Sequence, residues 1–269
     1  MPKRFRAWNQ SCYEKRIKNG RGSEEGAAYR PWLVVQDFSS RGSITRVNGW
    51  KTKRVHHFMS NIELQYFYLL EWSDTVIDIR EQFPLLDVSL TTEIAKEAGI
   101  KHPLDQYSGF PYVLTTDFLV TTKCGLIART IKMSHELNKR RVLEKLEIER
   151  RYWDKQGVDW RVVTENEIDL QKSKNIEWLH TAKILDGLMY DNELLNVVLL
   201  EIEKLYTETE LSVLTICKQI DEGYSVCNGT GITLFKYLVA NKHIEFDIEK
   251  TLELSRQRTK IDSRVRWAI

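Results

Sequence analysis

The sequence is poor in cysteine and has no long apolar run. Its 269 residues include only 4 cysteines, and no two of them have the C-x₂-C spacing of a zinc ribbon. Thiols so far apart are expected to stay reduced, as in the cytosol. No stretch approaches the roughly 18 apolar residues of a membrane-spanning helix, and the basic start at residues 1–6 has no apolar segment behind it. We therefore expect a cytoplasmic protein without a membrane segment or a secretory signal.

Two common signatures of nucleotide and zinc chemistry are also missing. The P-loop pattern G-x-x-x-x-G-K-[ST] does not occur, which argues against an ATP-driven motor. His56 and His57 are adjacent, a spacing that rarely ligates one ion, and no Cys or Asp cluster lies near them in sequence. A zinc site is therefore not expected here.

Acidic residues are scarce in the first part of the chain. Residues 1–55 hold 13 Lys and Arg but only 4 Asp and Glu, a balance of +9, whereas the whole chain sums to +2. Aromatic residues are interleaved with this charge: Trp8, Tyr13, Tyr29, Trp32 and Trp50. A basic segment with interleaved aromatics is typical of nucleic-acid contacts, although a solvated surface that merely lacks acids gives the same pattern.

The pattern of elements changes near residue 165. From residue 60 to 164, the hydrophobic periodicity and the β-branched runs predict the order α-β-β-β-α-β, with a hairpin between the second and third strands. Beyond residue 165 the pattern is helical, with a short strand predicted at 244–248. We therefore predict an α/β catalytic domain with a basic N-terminal arm at residues 1–168. A helical, winged-helix-like domain for partner binding is predicted at residues 169–269.

Three residues of the α-β-β-β-α-β segment combine into a candidate metal site. Glu63 begins the first helix, Asp117 lies in the second strand, and Lys132 ends the third. Neighbouring strands lie about 5 Å apart, so a hairpin can bring Asp117 and Lys132 together. Carboxylates bind Mg²⁺, and a lysine can polarise a phosphate or help to deprotonate a water molecule. This order of residues and elements indicates a PD-(D/E)xK, restriction-endonuclease-like core, a mixed sheet flanked by helices.

Each of the three residues also has an ordinary structural explanation. Ser60 and Glu63 fit a capping box, in which the glutamate reaches back to the backbone of the serine. Asp117 could face solvent, although the apolar residues after it predict burial, and a buried carboxylate needs a partner or a metal. Lys132 could be a surface lysine at a strand end. The metal-site hypothesis accounts for all three residues and for the element order together.

With these residues in view, the chain resembles the TnsA family, the endonuclease subunits of heteromeric bacterial transposases. The most specific stretches surround the candidate site: residues 55–64 (VHHFMSNIEL), 79–85 (IREQFPL), 99–103 (GIKHP), 116–120 (TDFLV) and 144–153 (EKLEIERRYW). A weaker resemblance extends through residues 175–179 and 217–220. Nearly the whole chain is covered, the first two-thirds most clearly.

The resemblance implies a nuclease that cuts the 5′ strands at transposon ends. It implies catalytic roles for Glu63, Asp117 and Lys132, with one or two Mg²⁺ ions, or Mn²⁺ in their place, bound by the two carboxylates. The position two before the lysine is usually acidic in PD-(D/E)xK enzymes but is Thr130 here, so Thr130 is a doubtful ligand, and the backbone carbonyl of Ile131 could serve instead.

Partners are implied by the same resemblance. These are DNA at the transposon ends, a DDE-type transposase that cuts the 3′ strands, and an AAA+ regulator that contacts the C-terminal region. Two other hypotheses stay open from the sequence. The first is a nuclease-fold assembly module with little catalytic activity, which Thr130 favours. The second is a winged-helix DNA-binding regulator, which depends on residues 208–248 alone.

Overall fold

The computed structural model describes residues 7–37, 44–185 and 190–258. The chain forms two compact units, Met1–Ile168 and Asp169–Ile269, which we call the N-terminal and C-terminal units. In these described ranges, no helix is long and apolar enough to cross a membrane.

The N-terminal unit contains a mixed four-stranded sheet flanked by helices, as the sequence predicts. Its described elements are, in chain order, α1 (Gln10–Lys18), β1 (Thr45–Asn48), β2 (Val55–Phe58), α2 (Asn61–Trp72), β3 (Val76–Pro84), α3 (Val88–Glu97), β4 (Thr115–Thr122), β5 (Gly125–Ile131), α4 (Arg140–Lys155) and β6 (Asp159–Val163). Strands β1 and β2 form an antiparallel pair. The larger sheet has the order β3-β4-β5-β6, with β5 and β6 parallel and the other pairs antiparallel.

Helices α2 and α4 lie on opposite faces of the four-stranded sheet. On the α2 face, the Phe67 ring lies 4.7 Å from the ring of Phe58, which in turn lies 6.1 Å from the ring of Phe118 in β4. On the α4 face, Trp153 packs into a buried apolar cluster with Leu119 of β4. Packing on both faces fixes the ends of β4 and β5, where the candidate residues lie.

Strand β3 reverses the facing of its side chains at Gln82. Side chains two residues apart share one face of a regular strand. Glu81, however, bonds to His56 of β2, whereas Phe83 packs against Trp153 of α4 with ring centroids 5.9 Å apart. The backbone of Gln82 has a φ of 48°, in the left-handed region that glycine favours. The irregularity at this residue explains the reversal.

The facing of the side chains in β4 also reverses, at Asp117. Thr116 accepts a hydrogen bond from Trp153 Nε1 on the α4 face, whereas Phe118 packs on the α2 face. The pairs Glu81–Phe118 and Phe83–Thr116 lie on either side of Gln82 and Asp117, so these two residues lie across from each other. Because of the paired irregularity, Asp117 is turned away from the α4 face that regular alternation from Leu119 would assign to it.

A buried polar network fastens β2 to β3. Arg54 Nη1 donates to Glu81 Oε1 at 2.8 Å, and His56 Nδ1 lies 2.8 Å from Glu81 Oε2. Burial alone raises the pKa of Glu81, but His56 and Arg54 outweigh burial and hold it well below its usual value. The other ring nitrogen of His56 lies 2.7 Å from Thr52 Oγ1. The network occupies both nitrogens of His56, and it anchors the strand that leads into α2.

The aromatic residues of the basic arm pack against the N-terminal unit. Tyr29 and Trp32 are buried. Trp8 stacks on Tyr112, and its backbone N–H donates to Asp105 at 3.1 Å. Tyr29 and Trp32 therefore cannot stack on bases, and the sequence interpretation of a nucleic-acid-facing aromatic set is wrong for these two residues.

Two arginines of the arm are paired with one acid. Arg21 Nη1 lies 2.5 Å and Arg16 Nη2 lies 3.5 Å from Asp37 Oδ2. The Arg16 guanidinium also lies over the Trp8 ring at 4.9 Å. Lys15 and Lys18 of α1 are exposed to solvent. Much of the accessible positive charge on α1 therefore belongs to its lysines.

The described part of the C-terminal unit is helical, with α5 (Leu170–His180), α6 (Asn192–Glu208), α7 (Val213–Gly223) and α8 (Thr230–Ala240). Helices α7 and α8 approach closely at Gly231, where a Cβ atom would lie only 2.5 Å from the Cys217 carbonyl oxygen. The strand predicted at 244–248 does not form. Instead, the Asn175 side chain of α5 donates to the carbonyl oxygens of Ile248 and Lys250, so these groups do not need a strand partner.

Candidate active site

Glu63 is held in the first turn of α2. The Ser60 hydroxyl caps the helix by accepting from the Glu63 N–H at 3.3 Å. The Glu63 carboxylate accepts from the Ser60 hydroxyl at 2.8 Å and from the Met59 N–H at 3.0 Å. A helix N-terminus favours negative charge. The local structure thus resembles the predicted capping box, except that the carboxylate bonds to the N–H of Met59 and not to that of Ser60.

Asp117 and Lys132 meet at the open end of the β4–β5 hairpin, away from its turn. Asp117 Oδ2 accepts from the Ile131 N–H at 2.7 Å and lies 3.1 Å from Lys132 Nζ. The same ammonium group donates to the Ile131 carbonyl oxygen at 2.7 Å. The hairpin therefore brings Asp117 and Lys132 together, as the sequence predicts, and the Ile131 carbonyl lies beside them.

Gln82 joins these residues to Glu63, and sequence reasoning missed it. Its side-chain Nε2 lies 3.5 Å from Glu63 Oε2 and 3.4 Å from Asp117 Oδ1. Two atoms so close to one nitrogen are at most about 7 Å apart, so the two carboxylates share one pocket. Nothing in the hydrophobic pattern marks Gln82, because its importance depends on a left-handed backbone in the middle of a strand.

The pKa of Glu63 is raised to about 7, first by burial and second by the negative charge of Asp117. Hydrogen bonds from Met59 and Ser60 and the charge of Lys132 offset only part of this effect. For Lys132, burial lowers the pKa, but the charge and hydrogen bond of Asp117 outweigh burial and raise it. The pocket therefore holds a protonated lysine, and further positive charge beside its carboxylates would be electrostatically favourable.

The available donors fit a hard divalent cation. Within the described residues, no group of three or more His, Cys, Asp and Glu side chains is arranged to hold a metal ion. A cation here would therefore depend on the oxygens of Glu63, Asp117 and the Ile131 carbonyl, together with water and substrate. An oxygen-only set that leaves positions for water suits Mg²⁺ or Mn²⁺ and does not suit zinc. The metal-binding and catalytic roles of these residues remain predictions.

Thr130 is not part of this group. Its hydroxyl donates to Glu149 of α4 and accepts from Trp160 Nε1 at 3.1 Å. The hydroxyl of Thr116 donates to the same Glu149 oxygen at 2.6 Å. The Thr130 side chain therefore lies on the α4 face of the sheet. The structure does not bring it to the carboxylates of Glu63 and Asp117.

Comparisons with known proteins identify the family. Models of the TnsA-like endonuclease N-terminal domain and of the TnsA endonuclease C-terminal domain match residues 73–165 and 167–248. The Transposon Tn7 transposition protein TnsA of Escherichia coli is 39% identical over 259 residues, which cover 95% of this chain and 93% of that protein. Together with the fold and the meeting of the three predicted residues in one pocket, these matches show that the chain belongs to the TnsA endonuclease family.

Proposed function

We propose that this protein is the metal-dependent subunit that hydrolyses the 5′ strands at the ends of a bacterial transposon. The observation that carries the proposal is the pocket in which Glu63, Asp117 and Lys132 converge. The family supports the reaction class, an endonuclease acting in transposition. Because the proposed substrate is transposon DNA, we assign the protein to the bacterial cytoplasm.

Glu63 and Asp117 are the ligands for Mg²⁺ in this proposal, with the Ile131 carbonyl as a further donor. The bound ion would polarise the scissile phosphate and lower the pKa of an attacking water molecule. The hydrogen bonds from Met59 and Ile131 hold the two carboxylates in place before the cation arrives. Such a prearranged site avoids the cost of ordering its ligands during the reaction.

Lys132 acts as a fixed positive charge. Its raised pKa keeps the ammonium protonated at neutral pH, so we assign it to the negative charge that develops on the phosphate and not to deprotonation of water. Asp117 and the Ile131 carbonyl direct the ammonium toward the pocket.

The choice of DNA and the coordination of both strands belong to partners. We assign cleavage of the 3′ strands to a DDE-type transposase and regulation to an AAA+ protein that contacts the C-terminal unit. Crosslinking of the full chain to such a regulator is expected to map mainly to residues 169–269. Crosslinks confined to the N-terminal unit would contradict this assignment.

A strand-specific cleavage assay tests the main proposal. Transposon-end DNA labelled on either strand is incubated with the full-length chain, with and without the partner transposase, in Mg²⁺, in Mn²⁺ or in EDTA. We expect 5′-strand cuts in either metal when the partner is present, and none in EDTA. Cleavage of the 5′ strands that persists in EDTA would refute a metal-dependent nuclease in this chain. So would 5′-strand cuts that are lost when only the active site of the transposase is inactivated.

A further inference from the structure

Gln82 combines an unfavourable backbone conformation with a buried polar side chain. Its backbone adopts a left-handed φ of 48°, which is unfavourable for most residues other than glycine. The side chain is only 4% exposed. Strained residues that the surrounding structure holds in place cluster at functional sites, so an outlier of this kind calls for an explanation.

The amide of Gln82 lies where a cation shared by the two carboxylates would need a ligand. Its Nε2 is 3.5 Å from Glu63 Oε2 and 3.4 Å from Asp117 Oδ1. Both contacts are near the upper limit for a hydrogen bond, so they hold the amide only weakly. The amide therefore faces both carboxylates without being bound firmly to either.

The pocket also lacks a third side-chain ligand. Thr130 is turned toward Glu149, and no third acid joins Glu63 and Asp117 in the described residues. Side-chain amide oxygens are ordinary ligands of hard divalent cations. Gln82 is the neutral side chain that contacts both carboxylates.

We propose that the side-chain oxygen of Gln82 is a third protein ligand of the divalent cation that Glu63 and Asp117 hold. The inference rests on the proposed function. A half-turn of the terminal amide exchanges the positions of its nitrogen and its oxygen, which directs the oxygen between the carboxylates.

Thr115 makes this half-turn inexpensive. In the structure, the Thr115 hydroxyl donates to Gln82 Oε1 at 3.4 Å. A hydroxyl can donate or accept, so after the half-turn the same hydroxyl accepts from the amide nitrogen. The amide thus keeps a partner in both orientations: it donates to the carboxylates without metal and ligates the cation with metal.

Mn²⁺ binding to the full-length chain without DNA, measured by isothermal titration calorimetry, tests the proposal. Gln82→Gly removes the ligand and suits the left-handed backbone, so we expect a folded variant that binds Mn²⁺ about tenfold or more weakly. Gln82→Glu retains an oxygen and adds charge, so it should bind at least as tightly as the wild type. Gln156→Ala, at an exposed glutamine at the end of α4, is the matched control and should bind like the wild type.

The outcomes show whether the Gln82 side chain ligates Mn²⁺, opposes Mn²⁺ binding, or only donates hydrogen bonds to the carboxylates. If Gln82→Gly binds Mn²⁺ as tightly as the wild type or more tightly, Gln82 is not a ligand. If Gln82→Glu binds more weakly than the wild type, the amide acts only as a donor that positions the carboxylates, and the proposal is wrong. Thermal unfolding of each variant checks the fold, and should Gln82→Gly unfold, the Gln82→Glu result alone decides.

Asp117→Asn separates this inference from the proposed function. If Asp117→Asn abolishes Mn²⁺ binding while both Gln82 variants bind normally, the two-carboxylate site stands and only the role of Gln82 is lost. If Asp117→Asn also binds normally, or the wild type binds no Mn²⁺, the metal site itself is wrong and both proposals fail.

Discussion

Two buried glutamates on opposite faces of the same sheet have similar pKa values but different surroundings. Glu63 lies on the α2 face and Glu149 on the α4 face, and the pKa of each is raised to about 7, chiefly by burial. The second-largest influence on Glu63 is the negative charge of Asp117. For Glu149, the next influences are hydrogen bonds from the hydroxyls of Thr116 and Thr130, which lower its pKa.

The difference lies in how each carboxylate is satisfied. One oxygen of Glu149 accepts from two threonine hydroxyls and from Trp160 Nε1, so neutral donors already surround it. Glu63 accepts hydrogen bonds from the Ser60 hydroxyl and the Met59 N–H, but a second carboxylate and the long contact to Gln82 also lie beside it. A raised pKa therefore does not by itself identify a catalytic acid. The partners distinguish the two groups: neutral donors bond to Glu149, whereas a second carboxylate lies near Glu63, which is the arrangement that we propose for a cation.

We expect the largest effect when the pocket carboxylate Asp117 is changed to the corresponding amide. The same type of change at Glu149 tests the opposite face of the sheet. Asp117→Asn should remove 5′-strand cleavage, because losing about 4 kcal/mol of metal-assisted stabilisation slows a reaction about a thousandfold. Assembly with the transposase, measured by gel filtration, should persist. Glu149→Gln, the matched change on the α4 face, should retain cleavage wherever it is folded. Equal losses in both variants would remove the distinction between the pocket carboxylates and Glu149.

The second prediction concerns stability and pH at Glu149. Between pH 4.5 and about 7, the unfolded chain loses this proton while the folded chain keeps it, so the free energy of unfolding falls as the pH rises. The fall attributable to Glu149 is at most about 3 kcal/mol and levels off above its folded pKa. Glu149→Gln should remove this contribution.

Urea unfolding in EDTA across that pH range measures the effect. The stability of Glu149→Gln relative to the wild type should increase with pH. Because Glu63 titrates in both proteins, the difference between the two curves isolates Glu149. Parallel curves would contradict a raised pKa at this residue.

A smaller change tests whether Thr130 belongs to the α4 face alone. Thr130→Val keeps the shape but removes the hydroxyl that donates to Glu149, which should cost about 1–2 kcal/mol of stability. Cleavage and Mn²⁺ affinity should stay at wild-type values. A loss of Mn²⁺ affinity in a folded Thr130→Val protein would restore Thr130 as a metal ligand.

The smallest effect is expected on the basic arm. Each lost phosphate contact reduces the log–log salt slope of duplex DNA binding by about 0.9. Replacing exposed Lys15 and Lys18 with Ala should therefore flatten the slope by up to about 1.8. Replacing Arg16 and Arg21 should flatten it less, because both already pair with Asp37. The reverse order would mean that DNA displaces Asp37 from the arginines.

The sequence by itself determined the order of the elements apart from α3, the change to a helical pattern after residue 165, and the meeting of Asp117 with Lys132. These features depend on local signals: β-branched runs, a short hairpin connection and the spacing of apolar residues. The stretch around Glu63 also marked the family, which the comparisons confirmed.

Only the tertiary structure decided which side chains face the pocket. Regular alternation along β4 would place Asp117 on the face of Leu119, and the paired irregularity at Gln82 turns it to the other face. Nothing in the local sequence pattern distinguishes Glu149 from the other charged residues of α4, yet it is buried against Thr116 and Thr130. Such outcomes depend on contacts between residues more than 15 positions apart in the chain. Local periodicity carries no information about those contacts, so only the folded chain specifies them.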